Sequence, residues 1–413
     1  MVTPLQHSPT PSRSEPTPYA PRTPVPNTSV SSLQSAMQNT SCCQKLCDLL
    51  CTPFRLFIIF INWIFSCCAS TKHPPSLLTS SPTCIAQTTI DLNAQDARRP
   101  PSILDERKMA VYKSLVKGRS LGGPIGFSKF ALGTREKVSQ MPLFFASPKI
   151  SAAAGPIRPP ASTDNVKQWQ ANFAHTNIFA FHGGPLLAQE EQLVLHCPPL
   201  AHADRALREK GLTSLEKDQA ILLTNVSQMG ELDTFTPLPN RVFSNGSNTL
   251  YGNSFAEASL PDIFSRLTVY PNSQPRNIFS FAAPIIPAKL CNQPYTKQHL
   301  ADLFYTAYTN FAAIKQSTDK PDQTSVAHTG LWGAGAFGNG EKASLLIQIA
   351  AAHAADLDVV FYPLDKFAVY SAALELFNQI KKQNPNMTIQ QFLDHVAQYA
   401  QHYGLLYGKS NGT

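Results

Sequence analysis

Outside one short stretch, this chain has almost no cysteine. Nine cysteines occur in 413 residues, and Cys42, Cys43, Cys47, Cys51, Cys67 and Cys68 crowd into one region. The others, Cys84, Cys197 and Cys291, are too few for a disulfide scaffold and suit a reducing compartment. Cys43, Cys47 and Cys51 have helical spacing, but no His or second Cys pair completes a structural zinc site, so no metal is expected. The chain also lacks a Lys/Arg run interleaved with aromatics, which argues against direct nucleic-acid readout. Its net charge of +7 favours an anionic ligand or an acidic membrane surface without choosing between them. The extreme N-terminus has no basic start followed by an apolar core, which excludes an ordinary secretory signal peptide.

What is present divides the chain. Residues 1–45 are a Ser/Thr/Pro-rich leader that cannot bury a core and is expected to be disordered. Residues 46–70, "LCDLLCTPFRLFIIFINWIFSCCAS", are apolar and cysteine-rich. The unbroken part falls short of the about 20 apolar residues that a spanning helix needs. Trp63 and the flanking cysteines suit an interfacial, acylatable segment. A second linker is expected over 71–101, then a helical extension over 102–165 containing "ILDERKMAVYKSLVKG".

From 166 to 408 short apolar runs alternate with helical periodicity. "NIFAF" at 177–181, "AILLTNV" at 220–226, "NIFSFAAPII" at 277–286 and "DVVFYPL" read as strands. "TKQHLADLFYTAYTNFAAIKQ", "GEKASLLIQIAAAHAA" and the tail "TIQQFLDHVAQYAQHYG" read as helices. The pattern predicts an α/β domain with a mixed, largely parallel sheet flanked by helices.

Two stretches carry chemistry. In "SVAHTGLWGAGAFGNGEKASLL", five glycines fall within the eleven residues 330–340, between a strand and a helix. Backbone amides at such a helix start form an anion site, and glycine admits close approach. Gly333, Gly335 and Gly338 spell G-x-G-x-x-G, but only one strand is expected after them, where a doubly wound dinucleotide domain needs more. The phosphate-loop pattern fails at Glu341, which stands where that motif has Lys. The other stretch, "NIFAFHGGPLLAQEEQLVLHC", places Glu190 and Glu191 side by side after a glycine turn. Adjacent, partly buried carboxylates raise one another's pKa and keep a proton available near neutrality, as O-glycosidic cleavage requires. The bland alternative is that both merely complement the positive end of a short helix.

Together the stretches resemble the catalytic macrodomain of the poly(ADP-ribose) glycohydrolases. That family carries a triple-glycine loop followed by Gln-Glu-Glu, and later Thr-Gly-x-Trp-Gly-Cys-Gly-Ala-Phe-Gly. Here "GGPLLAQEE" matches the first in part, and "TGLWGAGAFG", Thr329 to Gly338, matches the second with Ala334 in place of Cys. The likeness covers about 170–405. It implies hydrolysis of poly(ADP-ribose) or a related ADP-ribose linkage without a cofactor. Glu191 would protonate the leaving ribose oxygen and then activate water, with Glu190 and Gln189 positioning the ribose. Gly183 and Gly184 would let backbone approach the substrate, and Asn177 would stand for the family's Asn before the glycines. Gly333, Ala334, Gly335 and Ala336 would present amides to a pyrophosphate. Phe337 would pack on a ribose, Trp332 would shape the loop from behind, and Tyr251 would cover the ligand.

Departures from the pattern are His182 in place of the first glycine, a four-residue link before Gln189, and Leu364 where an adenine-side aromatic is expected. The alternatives are an ADP-ribose reader that cleaves poorly and a nicotinamide-dependent oxidoreductase.

The expected partners are poly(ADP-ribose) or an ADP-ribosylated protein, and a membrane through residues 46–70. A monomer is expected, membrane-associated with the catalytic domain facing cytosol. A bacterial effector delivered to a host cell has such a layout. Deleting residues 1–75 should abolish co-sedimentation with acidic lipid vesicles. Equal recovery of full-length and truncated protein in the supernatant would refute the tether.

Overall fold

Strand alternation decides how the layers form. In the order of the chain, the computed structural model contains β1 (Thr83–Ile90), α1 (Glu106–Val116), β2 (Ile125–Ala131), α2 (Arg135–Ser139), β3 (Ile150–Ala152) and β4 (Val166–Phe173). Then come α3 (Gln189–His196), α4 (Pro199–Glu209), β5 (Gln219–Leu232), α5 (Ser254–Glu257), α6 (Leu260–Phe264) and β6 (Leu267–Phe281). The last are α7 (Lys297–Gln316), β7 (Thr324–Gly330), α8 (Glu341–Ala355), β8 (Asp358–Tyr362), α9 (Phe367–Gln383) and α10 (Ile389–Gln398). The structure describes residues 81–92 and 101–410, all within the unit Ser76–Thr413.

The eight strands form one sheet in the order β1-β2-β5-β6-β4-β7-β8-β3. From β1 to β6 the pairing is antiparallel, and from β6 to β3 it is parallel. Successive side chains of a strand point to opposite faces. Ala220 and Leu222 of β5, with Phe279 and Phe281 of β6, enter the core beneath α7, α8, α9 and α10. Ile221, Leu223 and Ile278 enter the second core with α3 and α4. The far halves of β5 and β6 form a third cluster with α1, α5 and α6, after register shifts between Leu223 and Val226 and between Gln228 and Gly230. The sheet is therefore covered on both faces, and the C-terminal ends of β4, β6, β7 and β8 lie side by side. Open α/β sheets place their ligand sites at such ends.

The mixed, largely parallel sheet agrees with the expectation from sequence, but several local readings need correction. "NIFAF" is a turn, with one bridge from Asn177 to Ser214, and the strand is the preceding Val166–Phe173. That segment interleaves Lys, Gln and Asn with apolar residues, so its polar positions hide a central strand. Residues 102–165 are not simply helical, since they supply β2 and β3 to the sheet. The linker expected over 71–101 contains the edge strand β1, whose Thr-rich face is exposed. The tail helix stops at Gln398 and is followed by turns. The segment 46–70 lies outside the described residues, and among the described residues no helix is long and apolar enough to cross a membrane.

Leu303 is fully buried where α7 meets the sheet. Leu303→Ala should cost about 2–5 kcal/mol, read as a lower denaturant midpoint at unchanged slope.

Candidate functional site

One cleft of about 780 Å³ opens at the strand ends. Its walls are the loop after β7, the start of α3, and the far halves of the long β5–β6 pair.

The glycine loop is braced from behind. Trp332 is buried and stacks on Phe281 at 4.3 Å between ring centroids, and its indole N–H donates to the Phe281 carbonyl at 3.1 Å. Asn339 donates to the Pro284 carbonyl at 2.9 Å and accepts from the Tyr295 hydroxyl at 3.0 Å. Tyr295 in turn accepts from the Gly340 amide at 2.9 Å. Gly333 has φ +73°, and a Cβ there would meet Ala283 at 2.5 Å and Asn339 at 2.7 Å, so only glycine fits. Among the described residues, the amides of Gly335, Ala336 and Phe337 donate to no protein acceptor, and all three residues line the cleft. Unbonded backbone amides in such a loop can hold an anion. Gly333 and Ala334 line the cleft as well, although the Ala334 amide turns to the Leu331 carbonyl at 3.2 Å.

Across the cleft stands the Gln-Glu-Glu sequence at the first turn of α3. Gln189 bonds the end of β4, accepting from the Phe173 amide and donating to the Ala171 carbonyl, both at 2.8 Å. Its amide group thus docks the helix on the sheet, rather than pointing free at a ligand. Glu190 Oε1 accepts from Asn172 Nδ2 at 2.9 Å and from the Phe179 amide at 3.0 Å. Burial pushes the Glu190 carboxyl up to about 8. Glu191 Oε2 accepts from the Ala188 amide at 3.0 Å, and burial raises its pKa against the opposing pull of the Lys108 ammonium. Both residues line the cleft. Tyr251 is beside them, its phenol pushed up to about 12 by burial and by the Glu191 charge.

The remaining expected site residues fall elsewhere. Gly183 and Gly184 line a neighbouring depression, separated from the cleft by Phe181 and Leu186, which border both. A Cβ on Gly183 would meet the Ser102 carbonyl oxygen at 2.2 Å, so this glycine serves chain packing. Asn177 lines neither space, and its side-chain oxygen is buried without a partner. The position that reaches the cleft is His175, edge-on to Phe181 at 5.1 Å and to Phe337 at 6.5 Å. Its only sequence signal is proximity to the strand end, and the apolar pattern puts that strand too late in the chain. At the other end of the cleft lie Arg158, bonded to Glu231 at 2.5 Å, and Arg276, bonded to Gln228 at 2.7 Å. Leu364 also lines the cleft, 37% exposed, with φ +56°. Among the described residues no group of three His, Cys, Asp or Glu side chains is placed to hold a metal. The literal G-x-G-x-x-G loop follows β7 with only β8 after it, in a sheet whose other half is antiparallel, so no doubly wound dinucleotide fold surrounds it.

These features define a class: a macrodomain-like α/β protein with a cleft between an amide nest and a carboxylate-bearing helix. Residues 247–370 match the model of a family described as poly (ADP-ribose) glycohydrolase (PARG), macro domain fold, so the family likeness read from the glycine-loop motif is shown over that segment. The segment contains Tyr251 and the glycine loop, whereas Glu190, Glu191 and α1 precede it. Among solved structures, the chain is similar to poly(ADP-ribose) glycohydrolase from Deinococcus radiodurans in complex with ADP-ribose, at 16% identity over 73% of this chain and 98% of that one, with a TM-score of 0.32. The apo form of that enzyme gives 14%, 73%, 97% and 0.29. A macrodomain variant of Oceanobacillus iheyensis gives 13%, 56%, 92% and 0.31. No curated protein sequence matches the chain.

The buried Glu190 gives a pH signature. Folded, it keeps its proton to about pH 8, whereas the ordinary value is 4.5. The unfolded state then binds fewer protons between those values, so this group's contribution to stability is fully present below 4.5 and is lost as pH rises toward 8. The group contributes a slope of at most about 1.4 kcal/mol per pH unit. Glu190→Gln keeps an acceptor for Asn172 and Phe179. It should flatten the decline in denaturant-measured stability between pH 5 and 8.

Proposed function

We propose that the protein hydrolyses the ribose–ribose O-glycosidic bonds of poly(ADP-ribose) and releases ADP-ribose. The observation that carries this reading is the facing pair: unbonded amides at 335–337 and a buried carboxyl at Glu191, in one cleft. The amides suit a pyrophosphate, and aromatic Phe337 and His175 beside them suit a ribose face. A carboxyl whose pKa is raised by burial retains a proton for a leaving oxygen.

In the reaction, Glu191 gives its proton to the leaving ribose oxygen as the anomeric C–O bond breaks. The oxocarbenium-like ribose is attacked by water, whose oxygen forms the new bond. The proton lost by that water returns to the Glu191 carboxylate, so the enzyme is regenerated without an outside co-reactant. Glu190 holds the Phe179 amide and Asn172 in place, and its charge state is linked to that of its neighbour. Tyr251 closes the same side of the cleft.

A second reading is an ADP-ribose-binding module that cleaves poorly. The observation in its favour is that Gly183 and Gly184 line the adjoining depression, leaving the catalytic side of the cleft without a glycine loop.

The test is release of free ADP-ribose from poly(ADP-ribose) by the full chain and by Glu191→Gln. Release by the parent, and a drop of about 10²–10⁴ in kcat for the variant with ADP-ribose affinity retained, is the expected result. Calorimetric binding of ADP-ribose without release by the parent would select the reader. Absence of both would refute the proposal.

A further inference from the structure

The cleft's carboxylate side depends on a helix that lies outside the family-matched segment. Helix α1 begins at Asp105, whose side chain caps the amides of Arg107 and Lys108 at 3.0 Å each. Immediately before the helix, the amides of Leu104 and Asp105 donate to the Gly183 carbonyl at 2.9 and 3.0 Å. One turn on, the Lys108 ammonium donates to the His182 carbonyl at 3.1 Å and to the Leu186 carbonyl at 2.5 Å. Three carbonyls of the loop 182–186 are thus held from one helix start. Two residues beyond Leu186, the Ala188 amide donates to Glu191. Lys108 is only 1% exposed, and its ammonium bonds go to these backbone carbonyls rather than to a carboxylate. A buried ammonium bonded only to neutral carbonyls is costly unless a negative group stands near.

We propose that Lys108 is a positioning residue for the reaction proposed above: it fixes the loop before α3 and keeps a cation beside Glu191. The proposal rests on that reading of Glu191 as the acid.

The electrostatics agree. Burial lowers Lys108 to about 8, with Glu191 and then Asp105 pulling it upward, so it is a cation at neutral pH. Reciprocally, Lys108 opposes the rise of Glu191. Burial drives Glu191 toward its protonated form, and a carboxyl that holds its proton too firmly gives it up poorly to a leaving oxygen. The ammonium counters that drive, so the carboxyl can cycle. The other ionisable groups nearby have partners of their own. His182, in the loop, is kept neutral by burial and faces Asp204 of α4, which pairs with Arg208. Arg107, on the helix itself, pairs with Asp105. On α6, Asp262 pairs with Arg241, and on β5 and β6 Glu231 engages Arg158 and Tyr270. Glu190 of α3 is bonded to Asn172 and Phe179.

The experiment compares the full chain with Lys108→Met, of similar length and no charge, and with Lys108→Gln, which retains a donor. Three readouts are needed: kcat and KM on poly(ADP-ribose) across pH, ADP-ribose affinity by calorimetry, and the 13C-carboxyl titration of Glu191, assigned through Glu191→Gln. In Lys108→Met, kcat should fall on the order of a hundredfold, as expected for a misplaced acid, with KM and ADP-ribose affinity nearly unchanged. The Glu191 titration should move up by about one pH unit. Lys108→Gln should show the same titration shift, and it serves alone if the Met variant does not fold. Unchanged kcat and an unchanged Glu191 titration in a folded variant would overturn the proposal, as would a kcat loss without a titration shift. If the parent releases no ADP-ribose, the hydrolase reading and the positioning role of Lys108 both fail. Release by the parent with the variants unaltered defeats only the role of Lys108.

Discussion

The site depends on one buried acceptor, Glu190 Oε1. It receives Asn172 from the end of β4 and the Phe179 amide from the turn after that strand. Phe179 has φ +61°, a conformation that a bulky L-residue adopts only when its surroundings enforce it. The two bonds tie a central strand, a strained turn and helix α3 together. With Gln189 clamped on β4 as well, the first turn of α3 has little freedom, and Glu191 inherits its place in the cleft from that rigidity.

The opposite wall is fixed by a different device. The glycine loop has few side chains with which to hold itself, and its amides at 335–337 donate to no protein acceptor among the described residues. Rigidity therefore comes from behind, through Trp332 on Phe281 and the Tyr295–Asn339–Gly340 bonds. The two walls share β6 and β4 as neighbours in the sheet, so strand pairing sets the width of the cleft between them. The glycine loop and the first turn of α3 are thus held by separate sets of contacts joined by one sheet.

Much of the C-terminal half is legible from sequence. Helices α7 and α8 and strand β8 declare themselves by uninterrupted apolar pattern, and the glycine loop by composition. The strand β4 does not, because Lys167, Gln168, Gln170 and Asn172 dilute its apolar positions. Three of these polar residues find partners within the fold: Lys167 pairs with Asp319, Gln168 with His328, and Asn172 with Glu190 and Ser280. The fourth, Gln170, lines the cleft. A strand hidden in this way displaces the reading of the turn after it, so the sequence points to Asn177 where His175 reaches the cleft.

The sequence by itself determined the chemistry available: adjacent carboxylates, a glycine-rich loop, and the family likeness that the loop segment carries. Such features are local, and local spacing is enough to state them. Tertiary structure decided which groups meet. Gln189 became a clamp, Gly183 a packing contact, and Lys108 a buried cation beside Glu191, because each was brought against a segment distant in the chain. Burial then assigned the protonation states, since desolvation depends on what covers a group and no spacing pattern records that.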